Sequence, residues 1–149
     1  VHIENPSTYL RFVESTIPEP EFLAALFHAT GCGILCDVNN IYVSCSNNGG
    51  SPLSYLAALP AEAVGEIHLA GHSINDASGV PVYIDDHGSR VAPPVWVIYR
   101  EAACRFPGAE TLIEWDCDLP ALSVLAAEAE LADFERSRAL QDHFHAAAA

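Results

Sequence analysis

Acid and imidazole side chains stand where short apolar runs of this chain come to an end. Val1-His2-Ile3-Glu4-Asn5, Ile34-Leu35-Cys36-Asp37-Val38-Asn39-Asn40, Glu66-Ile67-His68-Leu69-Ala70-Gly71-His72, Ile84-Asp85-Asp86-His87 and Leu112-Ile113-Glu114-Trp115-Asp116 all show it. An apolar run closed by a carboxylate or a histidine, repeated with helical segments between, is how a parallel barrel assembles one site from separate strand ends. Carboxylate and imidazole groups gathered without a thiolate favour iron, manganese or zinc over a soft-metal site. The pair Asp85 and His87 offers one oxygen and one nitrogen to such an ion.

Residues i and i+2 of a strand face the same side, so the spacing predicts shared faces for Asp37 with Asn39, His68 with Ala70 and His72, and Glu114 with Asp116. Each candidate also has a structural reading. Glu4, between Ile3 and Asn5-Pro6, is costly to bury unless it is paired or metal-bound. Asp37 suits the cap of a following turn as well as a ligand, and His68 suits a hydrogen-bonded core position. Asp85 and His87 lie in a polar stretch where each alone would be solvated. His2 and His28 read as structural or surface residues, His143 and His145 as tail residues without a partner, and Asp116 and Asp118 as caps of a helix starting near Pro120.

The elements that must position these groups alternate. Phe22, Leu23, Leu26 and Phe27 are spaced for a helix over 20–30, with Gly31 and Gly33 as its stop. A buried strand follows over 33–38, then a loop over 47–52 and a short helix over 53–59. The next strand covers 64–70, an exposed loop 73–80 and a brief extended piece 82–84. Pro93-Pro94 precede a helix that places Val95, Ile98, Tyr99, Ala102 and Ala103 on one face; a last strand covers 110–115, and a helix runs over 120–140. This alternation predicts the α/β class with a parallel sheet. A complete eight-unit barrel takes about 250 residues, so 149 residues supply roughly the last four to five βα units of a partial (β/α)8 TIM-type barrel. Residues 1–140 are expected to form that portion and 141–149 a frayed tail. Starting without Met and directly in a strand, the chain reads as a segment of something longer, completed by an absent first half or by a second copy, or else as a shortened gene product.

Six basic residues, all arginine, against 20 acidic ones give a formal charge of -14, which repels phosphate backbones and anionic lipid; neither nucleic acid nor a membrane is an expected partner. No apolar stretch reaches the roughly 18 residues of a membrane span, and no signal-peptide layout opens the chain, so a cytoplasmic location is expected. Cys32, Cys36, Cys45, Cys104 and Cys117 form an odd set without a C-x-x-C pair, which reads as reduced thiols. Without a G-x-S-x-G elbow, P-loop or G-x-G-x-x-G fingerprint, neither a serine triad nor nucleotide binding has support.

Glu4-Asn5-Pro6-Ser7-Thr8-Tyr9-Leu10, Asp37-Val38-Asn39-Asn40-Ile41-Tyr42-Val43, Ile67-His68-Leu69-Ala70-Gly71-His72, Asp85-Asp86-His87 and Leu112-Ile113-Glu114-Trp115-Asp116 together resemble one known family. It is the multinuclear non-haem iron-dependent oxidative enzymes, an uncharacterised domain family whose best-known member is the oxidase of methanobactin biosynthesis. The similarity runs from about residue 1 to about residue 130. The resemblance implies a TIM-type barrel with two or three iron ions at its strand ends. It also implies dioxygen-dependent modification of cysteine in a ribosomally made precursor peptide, as in natural product biosynthesis, with a partner protein presenting the peptide. The ligands so implied are Glu4, Asp37, His68, Asp85, His87 and Glu114, with Asn39 and His72 as further ligands or supporting groups and Glu4 bridging two ions. Family members are nearly twice as long and draw histidine ligands from earlier strands, and Asp86-His87-Gly88-Ser89-Arg90 departs from their commoner Thr-His-Asp pattern. Two other readings stand beside it: a divalent-metal barrel of the isomerase or phosphodiesterase kind, and a non-catalytic truncated fragment or subunit.

Overall fold

The computed structural model describes residues 1–147. Its elements in chain order are β1 (His2–Glu4), α1 (Glu19–Thr30), β2 (Gly33–Asp37), α2 (Val38–Asn48), α3 (Pro52–Ala58), β3 (Val64–Leu69), β4 (Ser73–Asn75), β5 (Val82–Ile84), α4 (Pro93–Arg105), β6 (Glu110–Ile113) and α5 (Leu122–Ala147). β1, β2, β3 and β6 form a parallel sheet in that order, while β4 and β5 make a separate antiparallel hairpin. The expected α/β class and parallel sheet are thus present. The sheet is open, since β1 and β6 are its edges and do not pair with each other.

Ile34, Cys36, Ile67 and Leu69 point into the helix layer, where they meet Val38 and Ile41 of α2 and Val95, Ile98 and Tyr99 of α4, all at most 5% exposed. By alternation, Glu4, Asp37, His68 and Leu112 point to the opposite face. That face is not closed by a second layer: Leu112 is 44% exposed, and His2 and Glu4 are exposed too. The imidazole of His2 lies across Gly33 and Gly65 on this face, where any side chain would collide with the ring, so His2 is a structural group.

Local signals set most boundaries. Gly31 ends α1 in the left-handed conformation (φ 72°), its N–H donating to Phe27 O, and Ser51 caps α3 by accepting from Ser54 N. α2 departs from expectation: the strand was expected to reach Val38 and a loop to start at Asn47, but the chain turns into a helix directly after Asp37 and stays in it to Asn48. Val38-Asn39-Asn40 has poor helix propensity, and four asparagine side chains offset this by donating out of the helix. Asn39 reaches Asp85 and Gly71 O, Asn40 reaches Asn5 O, Asn47 reaches Tyr83 O, and Asn48 reaches Thr8 O.

Two further expectations are corrected. Ser73–Asn75, read as loop, forms β4 because β5 lies alongside it. The last helix starts at Leu122 and runs to Ala147, so 141–147 is helix where a frayed tail was expected; Ala148 and Ala149 lie outside the described residues. None of the helices described is long and apolar enough to cross a membrane.

Asn5 ties the sheet to the site. Fully buried, it donates from Nδ2 to Asp37 O at 2.9 Å and accepts from Asp37 N at Oδ1 at 2.8 Å, continuing the β1–β2 ladder with a side chain in place of a peptide. Asn5→Ala would leave both Asp37 backbone groups buried and unpaired. It is expected to lower unfolding free energy by about 3 kcal/mol, measured by urea denaturation.

Candidate metal centre

Four adjacent parallel strands each deliver one ligand-type side chain at the same end. Glu4 closes β1, Asp37 closes β2, His68 is the penultimate residue of β3, and Glu114 follows β6 directly. Glu114 N donates to Leu69 O at 2.9 Å, which carries the β3–β6 alignment one step beyond the strand. One donor atom from each of the four lies within 4.8 Å of the others. His87, Glu114 and Asp116 form a second such group, so Glu114, rather than Glu4, is common to both in this geometry.

His87 sits between the two groups. Its Nε2 approaches Asp85 Oδ1 at 2.6 Å and Asp37 Oδ2 at 3.9 Å, while its Nδ1 lies 3.2 Å from Glu114 Oε2 and 3.6 Å from Asp116 Oδ2. The contacts to Asp37 and Asp116 are too long for hydrogen bonds, those to Asp85 and Glu114 lack the alignment, and both ring nitrogens are buried without a partner. Ligand atoms that converge on a common point, rather than on one another, have this arrangement. His68 Nδ1 lies 3.1 Å from Glu114 Oε2 and its Nε2 3.2 Å from Glu66 Oε1.

Asp37 is fully buried and divides its two oxygens between two roles. Oδ1 accepts from Asn40 N at 2.6 Å and caps α2, as the turn-capping reading anticipated, whereas Oδ2 has no hydrogen-bond partner and faces the cluster. The i, i+2 strand argument for Asn39 does not hold, since Asn39 lies in the first turn of α2. It still turns toward the site: Nδ2 donates to Asp85 Oδ1 at 2.8 Å, and Oδ1 lies 2.8 Å from His72 Nδ1. Because that amide nitrogen faces only acceptors, Asp85 Oδ1 and Gly71 O, its oxygen must accept from His72 Nδ1, which fixes the His72 tautomer. Asn39 and His72 therefore stand behind Asp85, outside the two ligand groups.

Electrostatics follow the geometry. Burial, opposed by the Asn40 N–H, pushes the Asp37 carboxyl up to about 7, and burial together with the nearby Glu114 raises Glu4. Burial works against charge on His87, but Asp85, Asp37 and Glu114 outweigh it and raise the imidazole to about 9. His68 is likewise raised, by Glu66 and Glu114 against its burial. Asp85 is lowered, as the His87 contact overcomes burial, and His72 is lowered by burial. Four carboxylates, Glu4, Asp37, Asp85 and Glu114, surround two imidazoles, so even with both rings protonated the cluster carries excess negative charge. That excess and the unpaired Asp37 Oδ2 fit a bound cation.

Sequence reasoning did not single out three contributors. Glu66 shares a strand face with His68, a signal that the i, i+2 spacing holds but that was followed only forward, to Ala70 and His72. Asp116 shares a face with Glu114 by the same spacing, and its place shortly before Pro120 suits a cap as well. Gly71 carried no signal: a Cβ there would collide with the Ser89 carbonyl, so only glycine lets the 85–90 loop seat against the end of β3. His87 itself lies in the left-handed region (φ 45°), a conformation costing about 1–2 kcal/mol, and its carbonyl is held by Asp116 N at 2.8 Å. A groove of about 810 Å³, lined in part by Leu10, Phe12, Ile17, Phe22, Cys45 and Tyr55, includes none of these ligand-type residues.

Comparison with known proteins gives a consistent answer. A family model described as RiPP precursor modification enzyme MbnB/TglH/ChrH matches residues 1–135. A UPF0276 protein of Paraburkholderia phytofirmans is 50% identical over 128 residues, covering 85% of this chain and 42% of that protein. UPF0276 proteins of Acaryochloris marina (47% over 131 residues; 88% of this chain, 46% of that one) and of a Caulobacter species (49% over 130 residues; 87% and 47%) are similar. The chain spans less than half the length of these curated relatives.

Gly71→Ala is expected to displace the 85–90 loop while leaving the four-stranded sheet in place. Overpacking of this kind costs about 2 kcal/mol. A thermal melt should show a midpoint roughly 4–8 °C lower with an unchanged far-ultraviolet circular dichroism spectrum.

Proposed function

Because the chain belongs to the MbnB/TglH/ChrH family of RiPP precursor modification enzymes, we propose that it is part of an iron-dependent oxidase that uses dioxygen to modify cysteine in a ribosomally synthesised precursor peptide. The supporting observation is the cluster itself: one ligand-type group from each of four parallel strand ends, around a buried carboxylate oxygen with no partner. Glu4, Asp37, His68, Asp85, His87 and Glu114 would hold the metal. When bound, iron supplies dioxygen activation and a seat for the peptide thiolate.

The chain's own residues do the rest. Asn5 fixes the Asp37 backbone, and Asn40 N takes Oδ1, so Oδ2 is aimed into the site without a competing donor. Asn39 orients Asp85 and, through it, the edge of His87. Asn5, Asp37 and Asn39, all fully buried, close the floor of the site against water. The reacting sulfur belongs to the peptide, so none of the five cysteines needs to act. A partner protein presenting that peptide and a cytoplasmic setting belong to the same proposal.

A non-catalytic role, as a folded portion that needs other segments for activity, is favoured by one observation, the 42–47% share of its relatives' length. Metal analysis separates the two. After anaerobic reconstitution with ferrous iron, the oxidase reading expects bound iron at one or more ions per chain by elemental analysis, and dioxygen uptake that depends on a Cys-containing peptide. Retention of no iron at all would support the non-catalytic reading.

Substitutions should grade with position. Glu114→Gln removes the group shared by both ligand sets and is expected to abolish most iron binding, while Glu4→Gln, at the exposed edge, loses less. Asn39→Ala leaves all six of these ligand residues in place but removes the amide that donates to Asp85 Oδ1, and is expected to weaken iron binding about 10- to 100-fold by freeing Asp85, as read by competition with a chelator. Undiminished binding in Glu114→Gln would sink the assignment.

A further inference from the structure

The stretch from Asp85 to Val91 carries two of the proposed ligands and is held at both ends by residues outside the ligand set. At its near end the Tyr9 hydroxyl accepts from Asp85 N at 2.9 Å, and Asn39 Nδ2 donates to Asp85 Oδ1 at 2.8 Å. At its far end Glu128 of α5 gives both carboxylate oxygens to the loop: Oε1 accepts from Arg90 Nη1 at 2.6 Å and Oε2 from Val91 N at 3.1 Å. We propose that Glu128 is a positioning residue for the metal centre: by fixing Arg90 and Val91 it keeps the turn at His87 closed and the imidazole facing Asp37 and Glu114. The consequence for iron rests on the proposed function; the placement of the loop does not.

The surroundings of Glu128 argue for positioning over a contribution to folding. It is 3% exposed, and the other buried residues of α5 are Ala132 and Ala139, so among the described residues it is the one charged group that this helix buries. Its partner Arg90 is largely in water, with a side chain 57% exposed. Burying a carboxylate is costly, and its attraction to a solvated guanidinium is screened, so uncharged groups often replace such a pair without loss of stability. An apolar side chain would pack α5 on α4 equally well. What it could not do is hold a guanidinium and a backbone N–H at once through charge-assisted bonds that fix two consecutive residues.

His87 is where such fixing matters. Its φ of 45° is a conformation that a residue other than glycine keeps only when its neighbours over-determine it. Asp116 N donates to His87 O at 2.8 Å, Cys117 Sγ to Asp86 O at 2.8 Å and Ser89 Oγ to His72 O at 3.3 Å, all between the two pinned ends. With Arg90 and Val91 released, the turn is free to relax toward an ordinary φ. That swings the ring away from Asp37 Oδ2 and Glu114 Oε2, which it approaches at 3.9 and 3.2 Å. Glu128 bonds to neither Asp85 nor His87, so its influence travels through the backbone.

Arg90→Met combined with Glu128→Gln removes both charges and leaves an amide oxygen for Val91 N. In the 149-residue chain, the thermal midpoint of this double variant should stay within roughly 3 °C of the parent's. The Asp116 N–H, which reports the His87 turn, should exchange with deuterium roughly tenfold faster, while the Glu114 N–H, which reports the β3–β6 alignment, should exchange as before. Ferrous iron added anaerobically should bind about tenfold more weakly in competition with a chelator, a loss that a merely structural role would not produce at constant midpoint. Glu128→Asp keeps the charge but falls one carbon short; it should show both effects to a smaller degree, and it decides the matter if the double variant does not fold. Asp116 exchange as slow as in the parent, or iron held as tightly, would overturn the proposal. A parent chain that takes up no iron would count against the oxidase reading instead, and the exchange rates alone then decide the role of Glu128.

Discussion

Much of this structure turns on one buried carboxylate with an unpaired oxygen. Asp37 is fully buried, and three sets of contacts hold it from behind: Asn5 on its backbone N–H and C=O, Asn40 N on Oδ1, and the β2–β3 ladder. Oδ2 is left facing the cluster. Taking a carboxylate out of water costs several kcal/mol even after relaxation. The nearest compensating charge, His87 at 3.9 Å, returns about 4 kcal/mol at the effective dielectric of a partly screened site. Burial still wins without a cation, since it pushes the Asp37 carboxyl up to about 7 despite His87, and His87 is also drawn on by Asp85 and Glu114. A divalent ion among these oxygens shifts that balance, because it serves several carboxylates at once where one imidazolium cannot.

The surrounding structure keeps these groups together against their mutual repulsion. Four strand ends supply the base, and the 85–90 loop brings Asp85 and His87 over it. Gly71 lets that loop seat against β3, Asp116 N holds the strained His87 carbonyl, and buried Glu128 takes Arg90 at 2.6 Å and Val91 N at 3.1 Å, fastening the loop's far end to α5. Side-chain amides perform a similar service elsewhere. Asn5 pairs with the Asp37 backbone, and Asn47 pairs with the Tyr83 backbone, 2.9 Å in each direction, as if each were an extra residue of a neighbouring strand.

What was legible in the sequence follows from this division. The ends of β1, β2, β3 and β6 stood out because an acid or imidazole in an apolar run is costly without a partner, and this marked Glu4, Asp37, His68 and Glu114 one by one. α2 was not legible, because Val38-Asn39-Asn40 favours extended or turn conformations locally, and the helix depends on the Asp37 cap and on asparagine bonds to Asn5, Asp85 and Tyr83, all distant in sequence. β5 was legible as an extended piece over 82–84, whereas β4 was hidden because the polar stretch 73–80 has no alternation and β4 depends on pairing with β5. The 141–147 segment was read as frayed by its position, yet it continues a helix whose earlier turns pack on α4.

The two faces of the sheet have opposite chemistry. A face that carries Glu4, Asp37, Glu66, His68 and Glu114 cannot be covered by an ordinary helix layer, since apolar side chains laid over it would strip water from carboxylates and give nothing back. It can be covered by groups that complement its charge, cations among them. On the opposite face the same strands present Ile34, Cys36, Ile67 and Leu69, and there helices suffice. Alternation along four short strands thus sorts the sheet into an apolar face that packs on helices and a polar face that gathers ligand-type groups.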